Sequence, residues 1–117
     1  MIVRLQDINP FDRTHVGIGE PPFFSAFDSR PGEHLGGALH CADLIRRGVP
    51  IRPIAICDAG LVPPAQRIGR TNRQWQRLDG FKRYWGHLLA GKDTIACVVL
   101  DEYRPGAQHG EAMTWAK

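Results

Sequence analysis

The sequence predicts an α+β fold: a small mixed sheet with packed helices. Three observations predict it. Apolar residues recur at helical spacing in two separate segments. Short apolar runs of strand length stand before, between and after those segments. The chain has 117 residues, the size of one domain with one core. The expected organisation is a single domain over 1–117, with a long loop at 11–32 and a polar tail at 101–117.

The elements follow in order. Met1-Ile2-Val3-Arg4-Leu5 alternates and predicts an opening strand. Between Asn9-Pro10 and Pro31-Gly32 no period persists. Gly17, Gly19, Pro21 and Pro22 punctuate that stretch, and Phe23, Phe24 and Phe27 give it apolar anchors. Leu35, Ala38, Leu39, Ala42 and Ile45 form a helical stripe, with Arg46-Arg47 suited to the helix C-terminus and Gly48 to its stop. Residues 51–57 predict a strand with Pro53 near its start. A loop follows over 58–72, and residues 74–78 predict another strand.

The Asp79-Gly80 step then predicts a turn. A hairpin is excluded by the downstream period, because Phe81, Tyr84, Trp85, Leu88 and Leu89 stand at i, i+3, i+4, i+7 and i+8. The unit is therefore strand, Asp-Gly turn, helix. Gly91 ends the helix, residues 95–100 predict a buried strand, and a short helix is expected at 111–116.

Composition excludes several classes. Apolar residues make up 43% and charged residues 23%, the balance of a folded globular chain. No run reaches the roughly 18–20 apolar residues of a membrane helix, and Met1 to Asp7 has no signal-peptide pattern. A cytoplasmic location without membrane contact is expected. Cys41, Cys57 and Cys97 are odd in number and widely spaced, which predicts buried thiols rather than disulfides or a zinc site. No metal site is expected.

Net charge is +3. The positive charge concentrates at Arg67, Arg70, Arg73, Arg77, Lys82 and Arg83, with Asp79 opposing, which suggests an anionic partner or a solvated arginine-rich loop. Lys82 and Arg83 occupy the first turn of the helix after Gly80. A helix N-terminus is already positive, so cations there are unfavourable unless an anion docks on them. The candidate phosphate site is therefore Asp79, Gly80, Phe81, Lys82 and Arg83. Backbone N–H groups and the two cations would hold the anion, and Gly80 would allow close approach. The alternative is ordinary solvated charge, paired with Asp79 or Glu102. Asp79 would cap the helix, or reach a magnesium ion or a hydroxyl. His87, one turn beyond Arg83, is either packed or functional.

The segment from Leu78 to Gly91, with its Gly80-x-x-Arg83 core, resembles the glycine-x-x-arginine segment of the ParB/sulfiredoxin superfamily. Val3-Arg4-Leu5-Gln6-Asp7-Ile8 resembles that family's opening strand. The stretch from Leu44 to Ile56 resembles its helix-to-strand join. The resemblance spans residues 2–103. It implies the same α+β fold, a nucleotide-phosphate site at the helix N-terminus, and ATP or CTP with Mg²⁺ as ligand, hydrolysed or used as a phosphate donor. Arg52, Arg77 and His87 are possible contributors, and Glu20, Glu33 and Asp43 are candidate general bases.

Two departures narrow what the resemblance implies. The sulfiredoxin cysteine is replaced by Phe81, which excludes sulfinic acid reduction. A ParB-type helix-turn-helix domain is not expected after residue 103. A second class of function remains open: a DNA- or RNA-binding or nuclease-like module, with Arg67, Arg70, Arg73 and Arg77 on phosphates and Trp75 or the loop phenylalanines stacking on bases. A third is an interaction domain with a vestigial site.

Overall fold

The computed structural model describes residues 1–11 and 31–104, with side chains given for 1–11 and 35–104. The expectations for 12–30 and 105–117, including the C-terminal helix, lie outside the described residues. The strands are β1 (Ile2–Arg4), β2 (Ile8–Asn9), β3 (Ile54–Asp58), β4 (Trp75–Asp79) and β5 (Thr94–Leu100). The helices are α1 (Pro31–Arg46) and α2 (Phe81–Leu89). None of the described helices is long and apolar enough to cross a membrane.

The five strands form one mixed sheet in the order β1-β5-β3-β4-β2. β1 runs antiparallel to β5, and β5 parallel to β3. β3 runs antiparallel to β4, and β4 parallel to β2. This is the α+β class the periodicities predict. The register slips between Ala55 and Ile56, where β3 pairs with the end of β4.

Alternation along the strands divides the core between the two faces of the sheet. Ile54 and Ile56 of β3 join Val3, Ile95 and Cys97 under α2, whose Phe81, Tyr84 and Trp85 fill that core. Ala55, Cys57 and Leu78 form a smaller cluster with Leu100 and Tyr103. Trp85 is fully buried. Phe81, Tyr84 and Phe11 meet it edge-on at centroid distances of 6.2, 5.0 and 6.1 Å.

Several expectations need correction. α1 begins at Pro31, so the last two residues of the stretch read as loop are helical. Pro is well suited to a helix start, because its missing N–H would be unpaired there anyway. β3 begins after Pro53 rather than at Ile51. The two-residue strand β2 left no sequence signal, since Ile8-Asn9 is too short to show a period. Leu39 and Leu88 belong to the apolar stripes that predict the helices, yet they are 49% and 43% exposed. Cys41 and Gly86 are buried in their place because the two helices cross there. A Cβ at Gly86 would stand 2.6 Å from Cys41 Cβ, so only glycine permits this approach.

Candidate functional site

The Asp79-Gly80 step carries the chain from β4 into α2. Gly80 has φ 96°, in the left-handed region that a side chain disfavours. A Cβ there would also stand 2.8 Å from Ile54 Cβ. Both facts require glycine, and they set the N-terminus of α2 directly against the start of β3. Gly80 is itself the N-cap, and no side chain caps the helix. The expectation that Asp79 would cap α2 is therefore corrected. The Asp79 carboxylate instead pairs with Arg83 one turn on, Nη2 to Oδ2 at 3.2 Å.

Arg83 is the centre of the cluster. Its Nη1 donates to the carbonyl of Pro53 at 2.6 Å and to that of Arg52 at 3.2 Å. Its guanidinium thus fastens α2 to the residues leading into β3 while neutralising Asp79. Only 19% of the Arg83 side chain and 7% of the Asp79 side chain are exposed. Burial lowers the Arg83 pKa most. Asp79 opposes that shift and the neighbouring Arg52 charge adds to it. Arg52 is exposed, and its guanidinium has no partner among the described residues. Lys82 lies over Gly37 of α1, where a Cβ would collide with its side chain.

The other candidates fall in different places. The ring of Phe81 is 7% exposed and belongs to the core, so this residue can offer an incoming group only its backbone. Arg77 is buried. Its Nε donates to the Pro10 carbonyl at 2.8 Å and its guanidinium lies 5.4 Å from the centre of the Phe81 ring. His87 Nδ1 donates to the Arg83 carbonyl at 2.7 Å. Burial lowers the His87 pKa most, that hydrogen bond raises it, and Lys92 and Arg83 lower it further.

Of the proposed bases, Glu20 and the side chain of Glu33 lie outside the described residues. Asp43 is exposed and pairs with Arg47 at 3.3 Å. It is two residues, about 200°, around α1 from Cys41, which packs on α2. Asp43 therefore faces away from the α2 N-terminus. Glu102 pairs with Arg104 instead of reaching Lys82 or Arg83 as its main partner.

The arginine stripe is interrupted at Arg77, which is buried, while Arg67 stays exposed. Arg67 Nε donates to the Val62 carbonyl at 3.0 Å, and Arg77 is inside. Trp75 is half-buried against the main core. The structure thus brings Asp79, Gly80, Phe81, Lys82, Arg83 and Arg52 to one place, with His87 one turn along, and sets Arg77 in the core.

The three thiols are buried. Burial raises all three pKa values, those of Cys57 and Cys97 to about 11. The nearby Arg83 charge only partly offsets the effect at Cys41. Among the described residues no group of three His, Cys, Asp or Glu gathers as a metal site would require.

No protein-family model matches the chain, and no curated protein matches it in sequence. Among solved structures it is similar to sulfiredoxin from Arabidopsis thaliana. The two are 20% identical with a TM-score of 0.49, over 86% of this chain and 85% of that one.

Proposed function

We propose that the N-terminal end of α2 binds a phosphate group, and that the ligand is a nucleoside triphosphate, ATP or CTP, accompanied by Mg²⁺. One observation carries the reading. Arg52 is an exposed cation with no partner among the described residues, close enough to Arg83 to depress its pKa, at a helix N-terminus that no side chain caps. First-turn N–H groups of a helix lack intrahelical acceptors and attract anions. Like charges gathered there gain from an incoming anion, which reverses the sign of their interaction.

The roles divide between residues. Gly80 keeps the approach open and sets the helix axis. Arg83, held by Asp79 and two carbonyls, supplies fixed positive charge rather than a mobile ligand arm. Arg52 supplies the guanidinium that closes on the phosphate, and Lys82 adds a second charge from the first turn. A fixed cradle of this kind suits a phosphate dianion through charge-assisted hydrogen bonds. Hydrolysis or transfer of the terminal phosphate is the activity such a clamp supports. It would act by positioning and by neutralising charge, and Mg²⁺ brought with the nucleotide would supply further charge neutralisation.

The test is a thermal-shift screen of the full chain with ATP, CTP, GTP, UTP and inorganic phosphate, each with Mg²⁺. A ligand that binds only the native state raises the melting temperature, by an amount that grows with the logarithm of its concentration relative to Kd. At least one nucleoside triphosphate should raise it more than inorganic phosphate does. No shift with any of the five would overturn the proposal.

A further inference from the structure

β1 stands at one end of the strand order, with β5 on its inner side. The Cys97 N–H donates to the Met1 carbonyl at 2.7 Å, and the Met1 amino group donates to the Cys97 carbonyl at 3.2 Å. The Leu5 N–H donates to the Asp93 carbonyl at 2.9 Å. Val3 stands opposite Ile95, between those two pairs. Along an antiparallel strand, the backbone groups of successive residues point alternately to one side and the other. Met1, Val3 and Leu5 therefore direct theirs to β5. Ile2 and Arg4 direct theirs outward, where no strand among the described residues takes them. Arg4 is also the N-cap of the 3-10 turn Leu5–Asp7. Its carbonyl accepts from that turn and keeps a second lone pair.

The side chains along this edge are apolar and open to water. Met1 and Ile2 are each 67% exposed. Folded sheets usually blunt a free edge with a lysine, a proline or a bulge. β1 has none of these, and its register with β5 is regular from Ile2 to Arg4. Its one charged residue, Arg4, is held by Asp7 at 3.0 Å. Only its shortness protects it, which limits the strength of pairing rather than its direction.

We propose that β1 pairs with β1 of a second copy of this chain, antiparallel about a two-fold axis at Val3. The edge is complementary to itself in this register, as a two-fold interface requires. Ile2 of each copy stands opposite Arg4 of the other. The Arg4 N–H donates to the opposite Ile2 carbonyl, and the Ile2 N–H donates to the free lone pair of the opposite Arg4 carbonyl. The other registers that match outward groups are poorer. One sets Arg4 against Arg4, and the other leaves Arg4 beyond the end of the opposing strand. With the axis at Val3 the two Ile2 side chains are diagonal neighbours on one face of the sheet, within reach of each other. Each also lies along the aliphatic stem of an Arg4. Charge favours this occupant, because each arginine arrives with its own Asp7 and the copies meet as neutral pairs. The inference is independent of the α2 N-terminal reading.

The test is sedimentation velocity of the full chain between about 10 µM and about 1 mM, the range in which small interfaces associate. The wild type should pass from monomer toward dimer as concentration rises. Ile2→Lys, Ile2→Glu, Ile2→Pro and Leu39→Asp are compared with it. Ile2 and Leu39 are both exposed, so each variant should keep the urea midpoint of the dilute wild type. Ile2→Lys sets like charges opposite each other twice and should weaken the dimer about tenfold or more. Ile2→Glu meets Arg4 with opposite charge and should weaken it less. Ile2→Pro removes the outward N–H and should weaken the dimer while leaving the β1–β5 ladder intact. Leu39→Asp, on the outer side of α1, should change nothing. Any one of four results would overturn the proposal: a wild type monomeric throughout, a dimer indifferent to Ile2→Lys and Ile2→Pro, a larger loss in Ile2→Glu than in Ile2→Lys, or a loss in Leu39→Asp as large as that in Ile2→Lys.

Discussion

Arg83→Ala should destabilise the fold, because Arg83 is built into it. The substitution removes a pair whose side chains are 19% and 7% exposed and takes the Arg83 charge away from the buried Asp79. It also removes the donor that joins α2 to the carbonyls of Arg52 and Pro53. Removing one partner of a fully buried pair costs about 3–5 kcal/mol. Arg83 keeps a fifth of its surface in water, which screens part of that, so about 2–4 kcal/mol is expected. Urea unfolding reads this as a lower midpoint with an unchanged slope. A double-mutant cycle with Asp79→Asn should give a coupling of at least about 1 kcal/mol, since the two groups are in direct contact. A loss below about 0.5 kcal/mol in Arg83→Ala would refute the reasoning, because it would place Arg83 among ordinary surface cations. The consequence for function is direct. Arg83 variants report on the fold, and Arg52 is the residue to alter when the ligand is being tested.

Three further outcomes are expected. Gly80→Ala should cost about 2–4 kcal/mol in urea unfolding, combining left-handed strain with the collision against Ile54; a change within about 0.5 kcal/mol would contradict the turn geometry. Native protein at pH 7.5 should leave Cys41, Cys57 and Cys97 unlabelled by iodoacetamide and label all three in urea, because burial raises each thiol pKa; rapid native labelling of Cys57 would count against its position. His87 has a folded pKa below its unfolded value of about 6.5, so between those values the unfolded chain binds more protons. Its stabilisation is full above pH 6.5 and is lost as pH falls through that window. The urea midpoint of His87→Gln should therefore drop less than that of the wild type between pH 7.5 and pH 5.5, and equal drops would refute the assignment.

The parts of the fold with a strong period were legible. Phe81, Tyr84 and Trp85 announced α2 and its inward face, and Asp79-Gly80 announced the turn before it. The parts set by tertiary contact were not. Leu39 and Leu88 have the spacing of core residues, yet helix crossing at Cys41 and Gly86 decides which edge of each stripe is covered. Gly86 in mid-helix was the available signal, since glycine there is unfavourable unless something approaches closely. The clustering at the site was legible as a broken rule, cations in a helix first turn. Its wiring was not. Whether Asp79 caps or pairs depends on φ at Gly80, and the engagement of Arg83 with the 52–53 carbonyls depends on a contact thirty residues away in sequence. Arg77 reads as one more surface arginine, and only the sheet face it occupies places it in the core. The fastening of the 68–70 loop by the Asn9 side chain, which bonds the Ile68 carbonyl and the Arg70 N–H, left no trace, because a single polar residue in a two-residue strand carries no pattern.

The most direct test of the central claim is a calorimetric titration of ATP and CTP with Mg²⁺ into the wild type, Arg52→Ala and Arg70→Ala. Arg52 is exposed and its guanidinium has no hydrogen-bond or ion-pair partner among the described residues, so its loss should leave the urea midpoint unchanged. If the phosphate sits at the α2 N-terminus, Arg52→Ala should weaken the preferred nucleotide about 10–100-fold, as expected for one charge-assisted bond of about 1.5–3 kcal/mol. Arg70→Ala should bind it like the wild type. Unchanged affinity in Arg52→Ala, or a loss carried by Arg70→Ala alone, would contradict the account.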